Sequence, residues 1–244
     1  MTAAIWWGVL ASATLFAGQA LARPLARSPR VTGLIMGFGA GTLLSAIAYE
    51  LVPESNIGNG TTDAIKIAAW LLVGALAYYL GDQLLDGRGG SVRGQIRPST
   101  GAGSGKAMFL GALLDGIPEA FIIGLGLAAG GSISWAFLLA VALSNIPQGV
   151  AGTTGLKSAG VRDLRIFAMW TSLTIASGLA AGLGFWVADK APGAGLGANA
   201  FAAGALLMML ADSMIPEAYE HGGRAVGLLT VLGFLTAAAL SVAQ

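Results

Sequence analysis

Eight stretches of about 20 mostly apolar residues follow one another along the chain, at 3–22, 31–52, 64–85, 107–129, 133–152, 165–188, 198–218 and 225–242, with short segments between them. A helix of about 20 residues crosses a hydrocarbon core of about 30 Å. Within lipid the backbone must satisfy its own hydrogen bonds, which runs of this length do as helices. The sequence therefore predicts an all-α integral membrane protein with eight transmembrane helices forming a single domain over 1–244. Only 10% of the residues are charged, against about 25% in soluble domains, so the chain cannot cover its own surface with charge. That excludes an ordinary soluble enzyme and a disordered chain. A formal net charge of +1 offers no field for a polyanion, so no nucleic-acid partner is expected; the lipid bilayer is. Cysteine is absent, which removes disulfides and thiolate sites.

Charge also sets an expected orientation. All but two of the 13 Lys and Arg residues fall after spans 1, 3, 5 and 7; the exceptions are Lys66 and Lys190. By the positive-inside rule those loops are cytoplasmic and both termini lie outside. Ala20-Leu21-Ala22 looks like a signal-peptide cleavage site, but no Lys or Arg precedes it, so the first stretch reads as a retained helix. The Gly-rich 86–105 segment reads as a flexible cytoplasmic tether, with lipid binding as the alternative.

The chain resembles itself in two places. At an offset of 163, Ala40-Gly41-Thr42-Leu43-Leu44 matches Ala203-Gly204-Ala205-Leu206-Leu207, and Val52-Pro53-Glu54 matches Ile215-Pro216-Glu217. At an offset of 29, Leu114-Asp115-Gly116-Ile117-Pro118-Glu119-Ala120 matches Leu143-Ser144-Asn145-Ile146-Pro147-Gln148-Gly149. Each match joins spans that cross in opposite directions. The pattern predicts a 3+2+3 inverted repeat, in which spans 1–3 mirror 6–8 and span 4 mirrors span 5, a transporter signature.

Asp115 and Glu119 are four residues apart on span 4 and share a face. An ionised carboxylate at mid-membrane costs about 2.5 kcal/mol or more, and no Lys or Arg occupies a mid-membrane position to pair with them. Pro118 and Pro147 each withhold a backbone donor, which predicts helices broken beside Ser144, Asn145 and Gln148. Two carboxylates, two amides, a hydroxyl and loosened carbonyls are a donor set for a divalent cation. The same residues could instead tie helices together or relay protons. At the mouths, Glu50 and Glu54 lie at the outer end of span 2, and Asp212 and Glu217 at the inner end of span 7, as candidate pathway residues. Glu220 and His221 read equally well as a solvated helix end. Gly33, Gly37, Gly41 and Ser45 recur every four residues as a small-residue ridge, as do Gly178 and Gly182. Trp6, Trp7, Trp70, Trp135 and Trp186 read as interfacial anchors.

Span 4, LLDGIPEAFIIGLGLA, and span 5, ALSNIPQGVAGTTGL, resemble the paired His-Asn-x-Pro-Glu-Gly helices of the ZIP (Zrt/Irt-like) family of divalent-metal transporters. Spans 2 and 7, with Pro53-Glu54 and Pro216-Glu217, resemble that family's second and seventh helices. The resemblance implies a metal site between spans 4 and 5 and transport toward the cytoplasm by alternating access. Carried over by position, the first motif's His falls on Asp115, its Asn on Gly116 and its Glu on Glu119. The second motif's ligand positions fall on Ser144, Asn145 and Gln148, and a helix-6 carboxylate falls on Ala181. The metal set read this way is Asp115, Glu119, Ser144, Asn145 and Gln148. The lost His and carboxylates imply at most one cation, with zinc, manganese, iron(II) and magnesium all plausible as cargo and no resident cofactor. A bacterial inner membrane is the expected setting, and a homodimer is left open. The alternatives are a diverged protein of the same fold carrying another solute, protons or no metal, and, more remotely, an intramembrane hydrolase using Asp82.

Overall fold

The computed structural model describes residues 1–25, 28–52, 61–85, 104–130, 134–190 and 194–243. Among them every regular element is helical, and eight segments are long and apolar enough to cross a membrane. The protein is an integral membrane protein. The spans are Thr2–Leu25, Pro29–Leu51, Asp63–Leu84, Phe109–Ala128, Trp135–Ser158, Asp163–Lys190, Gly197–Gly222 and Ala225–Val242. Glu54 and nearly all of the 86–105 segment lie outside the described residues.

Span 5 runs six residues beyond the predicted 152. Its C-terminal end is held from the side, because the fully buried Trp170 of span 6 donates its indole N–H to Thr153 Oγ1 at 3.0 Å. Span 5 then passes to span 6 through a tight turn at Gly160, whose φ of 78° suits glycine. Span 1 is two helices, Thr2–Ser12 and Thr14–Leu25, that meet at Ala13.

The prolines act differently from expectation. The helices of spans 4 and 5 run α-helical through Pro118 and Pro147, so neither is broken at mid-membrane. Neighbouring helices make such prolines tolerable inside a bundle. The irregular turns sit in spans 2 and 7, where Ile47–Leu51 and Leu210–Met214 are π-helical. Pro216 follows the second of these and cannot donate to the carbonyl of Asp212. A wider turn absorbs that lost bond.

Between helices in lipid there is no hydrophobic drive, so association rests on close packing. The most extensive contacts join spans 2 and 8, 4 and 6, 1 and 5, and 3 and 7; spans 2 and 7, 1 and 6, and 2 and 5 follow. Glycine sets the approach. A Cβ on Gly41 would strike the Thr230 carbonyl oxygen, and one on Gly233 that of Phe38, so spans 2 and 8 lock reciprocally. Gly204 against Leu71 and Gly74 against Phe201 do the same for spans 7 and 3. The predicted ridge is therefore a contact surface: Gly33 meets the end of span 7, and Gly37 and Gly41 meet span 8. Gly178 and Gly182 receive Ile5 and Val9 of span 1. Spans 2 and 5 are the most enclosed, spans 3 and 8 the least. Trp6, Trp70, Trp135 and Trp186 are exposed, as membrane anchors would be, while Trp7 packs edge-on against Trp135 at 5.5 Å.

Candidate cation site

Glu119 of span 4 faces Ser144 of span 5, with Ser144 Oγ 3.4 Å from Glu119 Oε1. Both side chains are fully buried. Ser144 has one proton, and its shorter bond, 2.9 Å, donates to the Val141 carbonyl. It therefore gives the carboxylate little. Glu119 Oε2 has no hydrogen-bond partner among the described residues. A carboxyl group in that position is costly to keep ionised, and protonation or a bound cation would relieve that cost.

The other residues of the predicted set divide between two directions. Asn145, also buried, donates Nδ2 to the Ala11 carbonyl at 3.3 Å, which ties span 5 to the bend of span 1. Its side-chain carbonyl is the donor atom it can offer an ion. Gln148 is half-buried one turn along span 5. Asp115 is half-buried one turn from Glu119, and its Oδ1 accepts a hydrogen bond of 2.5 Å from the Tyr78 hydroxyl of span 3. The structure thus joins Glu119 and Ser144 directly, while Asn145, next to Ser144 in the chain, turns toward span 1. Asp115 is attached to a partner that sequence reasoning missed. Tyr78 stands in a span so uniformly apolar that no periodicity marks one face, and burial alone distinguishes it from exposed Tyr79.

Of the positions that lack the family's ligands, Ala181 is closed by packing and Gly116 is not, since a Cβ at Gly116 would meet its nearest atoms, on Leu173 and Ser177, at 3.7 Å. Ala181 is fully buried with Ala120 and Ala180. A Cβ on Gly8 would lie 2.7 Å from Ala181 Cβ, and one on Gly124 would strike the Ala181 carbonyl oxygen. No carboxylate fits there. Gly116 faces Ser177, whose buried Oγ has no hydrogen-bond partner among the described residues.

Of the predicted pathway residues, Glu50 lies in the π-helical turn of span 2 and accepts from Ser241 Oγ of span 8 at 3.3 Å. It borders a cavity of about 30 Å³ with Ser134, Gly126 and Phe137, room for about two waters. Buried Ile122, Ile123 and Phe137 line that cavity one to two turns along spans 4 and 5 from Glu119 and Ser144. Asp212 is exposed in the π-helical turn of span 7.

Glu217 is buried, with Oε1 3.3 Å from His221 Nδ1. The ligand atoms of Glu217, Glu220 and His221 all lie within 4.8 Å of one another. Sequence left Glu220 and His221 open between an acidic mouth and a solvated helix end; Glu220 is exposed, and one turn of helix brings both close to Glu217. Asp82 is buried one helical turn from Tyr78 on span 3. A larger cavity of about 510 Å³, bordered by Trp70, Pro118, Phe121 and Phe201, opens on the opposite side of span 4. Its walls are apolar and offer no cation chemistry.

No family model matches the chain. Over 199 residues, 79% of its length, it is 28% identical to an Arabidopsis thaliana protein named "Putative zinc transporter". The match covers 31% of that protein, so the chain spans about a third of the length of this relative.

Proposed function

We propose that this protein is a secondary transporter that carries a divalent metal cation across the membrane toward the cytoplasm, through a single oxygen-rich site centred on Glu119. The observation that carries the reading is the Glu119 carboxyl group, sealed between spans 4 and 5 with one oxygen unpartnered and only a weakly placed hydroxyl on the other. Such a group is costly to keep without a function that uses its charge. Asp115, Asn145, Ser144 and Gln148 complete the donor set, and Glu50 and Glu217 mark the two approaches. The similar plant protein's name makes zinc the first cargo to test, while an all-oxygen set keeps manganese, iron(II) and magnesium in contention.

Alternating access through a 3+2+3 inverted repeat is part of the proposal. The π-helical turns begin at Ile47 and Leu210, the same offset of 163 that relates the sequences of spans 2 and 7. The pairing of spans 2 and 8 has its counterpart in 7 and 3, and that of 4 and 6 in 5 and 1. Even the glycine locks correspond, Gly41 with Gly204 and Phe38 with Phe201.

The test is uptake of Zn²⁺, Mn²⁺, Fe²⁺ and Mg²⁺ by the purified protein in liposomes. Uptake that depends on Glu119 supports the site. Uptake unchanged in Glu119→Ala sinks it. The second reading, a diverged protein of this fold moving protons or another solute, is favoured by the filled position at Ala181. Its signature is a melting temperature that no divalent ion raises, because a ligand of the native state must stabilise it.

A further inference from the structure

Asp115 and Glu119 share a helix face by sequence, yet the tertiary structure gives them different neighbours. Glu119 meets Ser144 of span 5, whereas Asp115 meets Tyr78 of span 3. Tyr78 is 3% exposed and its ring belongs to the central core, against which Leu114, the neighbour of Asp115, also packs. The hydroxyl is thus delivered by a rigid side chain. Its 2.5 Å approach is that of a strong O–H···O bond to a carboxylate.

Such a bond changes what Asp115 can offer an ion. A hydrogen bond to one oxygen of a carboxylate withdraws a lone pair and fixes its tilt, which disfavours chelation through both oxygens. With Oδ1 engaged by a fixed donor, coordination of an ion through the other oxygen alone is favoured. Large cations gain most from two-oxygen coordination, since Ca²⁺ takes 6–8 oxygens and often takes carboxylates two oxygens at a time. Zn²⁺ is satisfied with four ligands and loses little. We propose that Tyr78 is a specificity-determining residue of this site, holding Asp115 to one-oxygen coordination and so favouring a small, low-coordinate divalent cation over a large one. The inference rests on the reading of Asp115 and Glu119 as cation ligands.

Tyr78→Phe keeps the ring and removes only the hydroxyl. Melting-temperature titrations of purified wild type and Tyr78→Phe with Zn²⁺ and Ca²⁺ give an apparent Kd for each ion. In the variant the ratio of the Ca²⁺ to the Zn²⁺ constant falls about tenfold, a shift well within what one ligand oxygen contributes. If Zn²⁺ stabilises wild type and the ratio is unmoved in Tyr78→Phe, this proposal fails while the transport reading stands. If no divalent ion stabilises wild type, the cation reading itself fails and takes this one with it. Should Tyr78→Phe not fold, infrared difference spectra of wild type with ¹³C-labelled aspartate serve instead. A one-oxygen carboxylate signature on adding Zn²⁺, absent from Asp115→Asn, supports the proposal, and a two-oxygen signature overturns it.

Discussion

Glu119 and Glu217 are both buried carboxyl groups that follow a proline by one residue, and their surroundings could hardly differ more. Glu217 sits at the end of span 7 with His221 at 3.3 Å and Glu220 close by. Glu119 sits mid-span, with a serine at 3.4 Å whose proton is already given to backbone. A carboxylate near a helix end reaches side chains of its own last turn and water. One in the middle of a bundle depends on what the adjacent helix presents, and span 5 presents little. The difference separates a group that its own helix can satisfy from one that waits for an ion or a proton.

The sharpest way to break this comparison is to neutralise each residue in turn. Glu119→Gln is expected to reduce ion uptake at least about a hundredfold, and to erase the roughly 2.7 kcal/mol of stabilisation that ligand at 100 times Kd supplies. Glu217→Gln, measured in the same liposomes, is expected to lower uptake less than about tenfold. Equal losses in the two variants would remove the distinction.

Stability gives a second contrast. Gly124→Val drives a side chain into the Ala181 carbonyl oxygen, so spans 4 and 6 must separate. A cost of about 1–3 kcal/mol or more is expected in thermal unfolding, together with loss of uptake. Smaller still is His221→Ala, which withdraws a neighbour from the buried Glu217 at about 1–2 kcal/mol. The double variant with Glu217→Gln should recover part of that loss, whereas simple additivity in the melting temperatures would show that the pair is not coupled. Least of all is Ser144→Ala. Its main bond is to the backbone of its own helix, so about 0.5–1 kcal/mol is expected in unfolding. Apparent ion affinity should weaken no more than about threefold, and a larger drop would mean that the hydroxyl is a principal ligand.

Much of this architecture was legible in the chain itself. Apolar run length determined the eight spans, because a helix in lipid has no other way to satisfy its backbone. The four-residue recurrence of Gly33, Gly37 and Gly41 foretold a contact surface, since only small residues let two backbones meet. Asp115 and Glu119 stood out because mid-membrane acids are too costly to be incidental. Local rules failed at the prolines: Pro118 and Pro147 predict breaks that the packed helices do not show, while the wide turns appear in spans 2 and 7. Nor do they say which neighbour each polar group meets. That Tyr78 holds Asp115, that Asn145 turns to Ala11, and that Ala181 is walled in by Gly8 and Gly124 are facts of helix placement. Sequence determines which groups must enter the membrane and on which face of their helix. Only the tertiary structure decides what stands opposite them, because in lipid the positions of helices are set by close packing between surfaces distant in sequence, and not by the periodicity of any one of them.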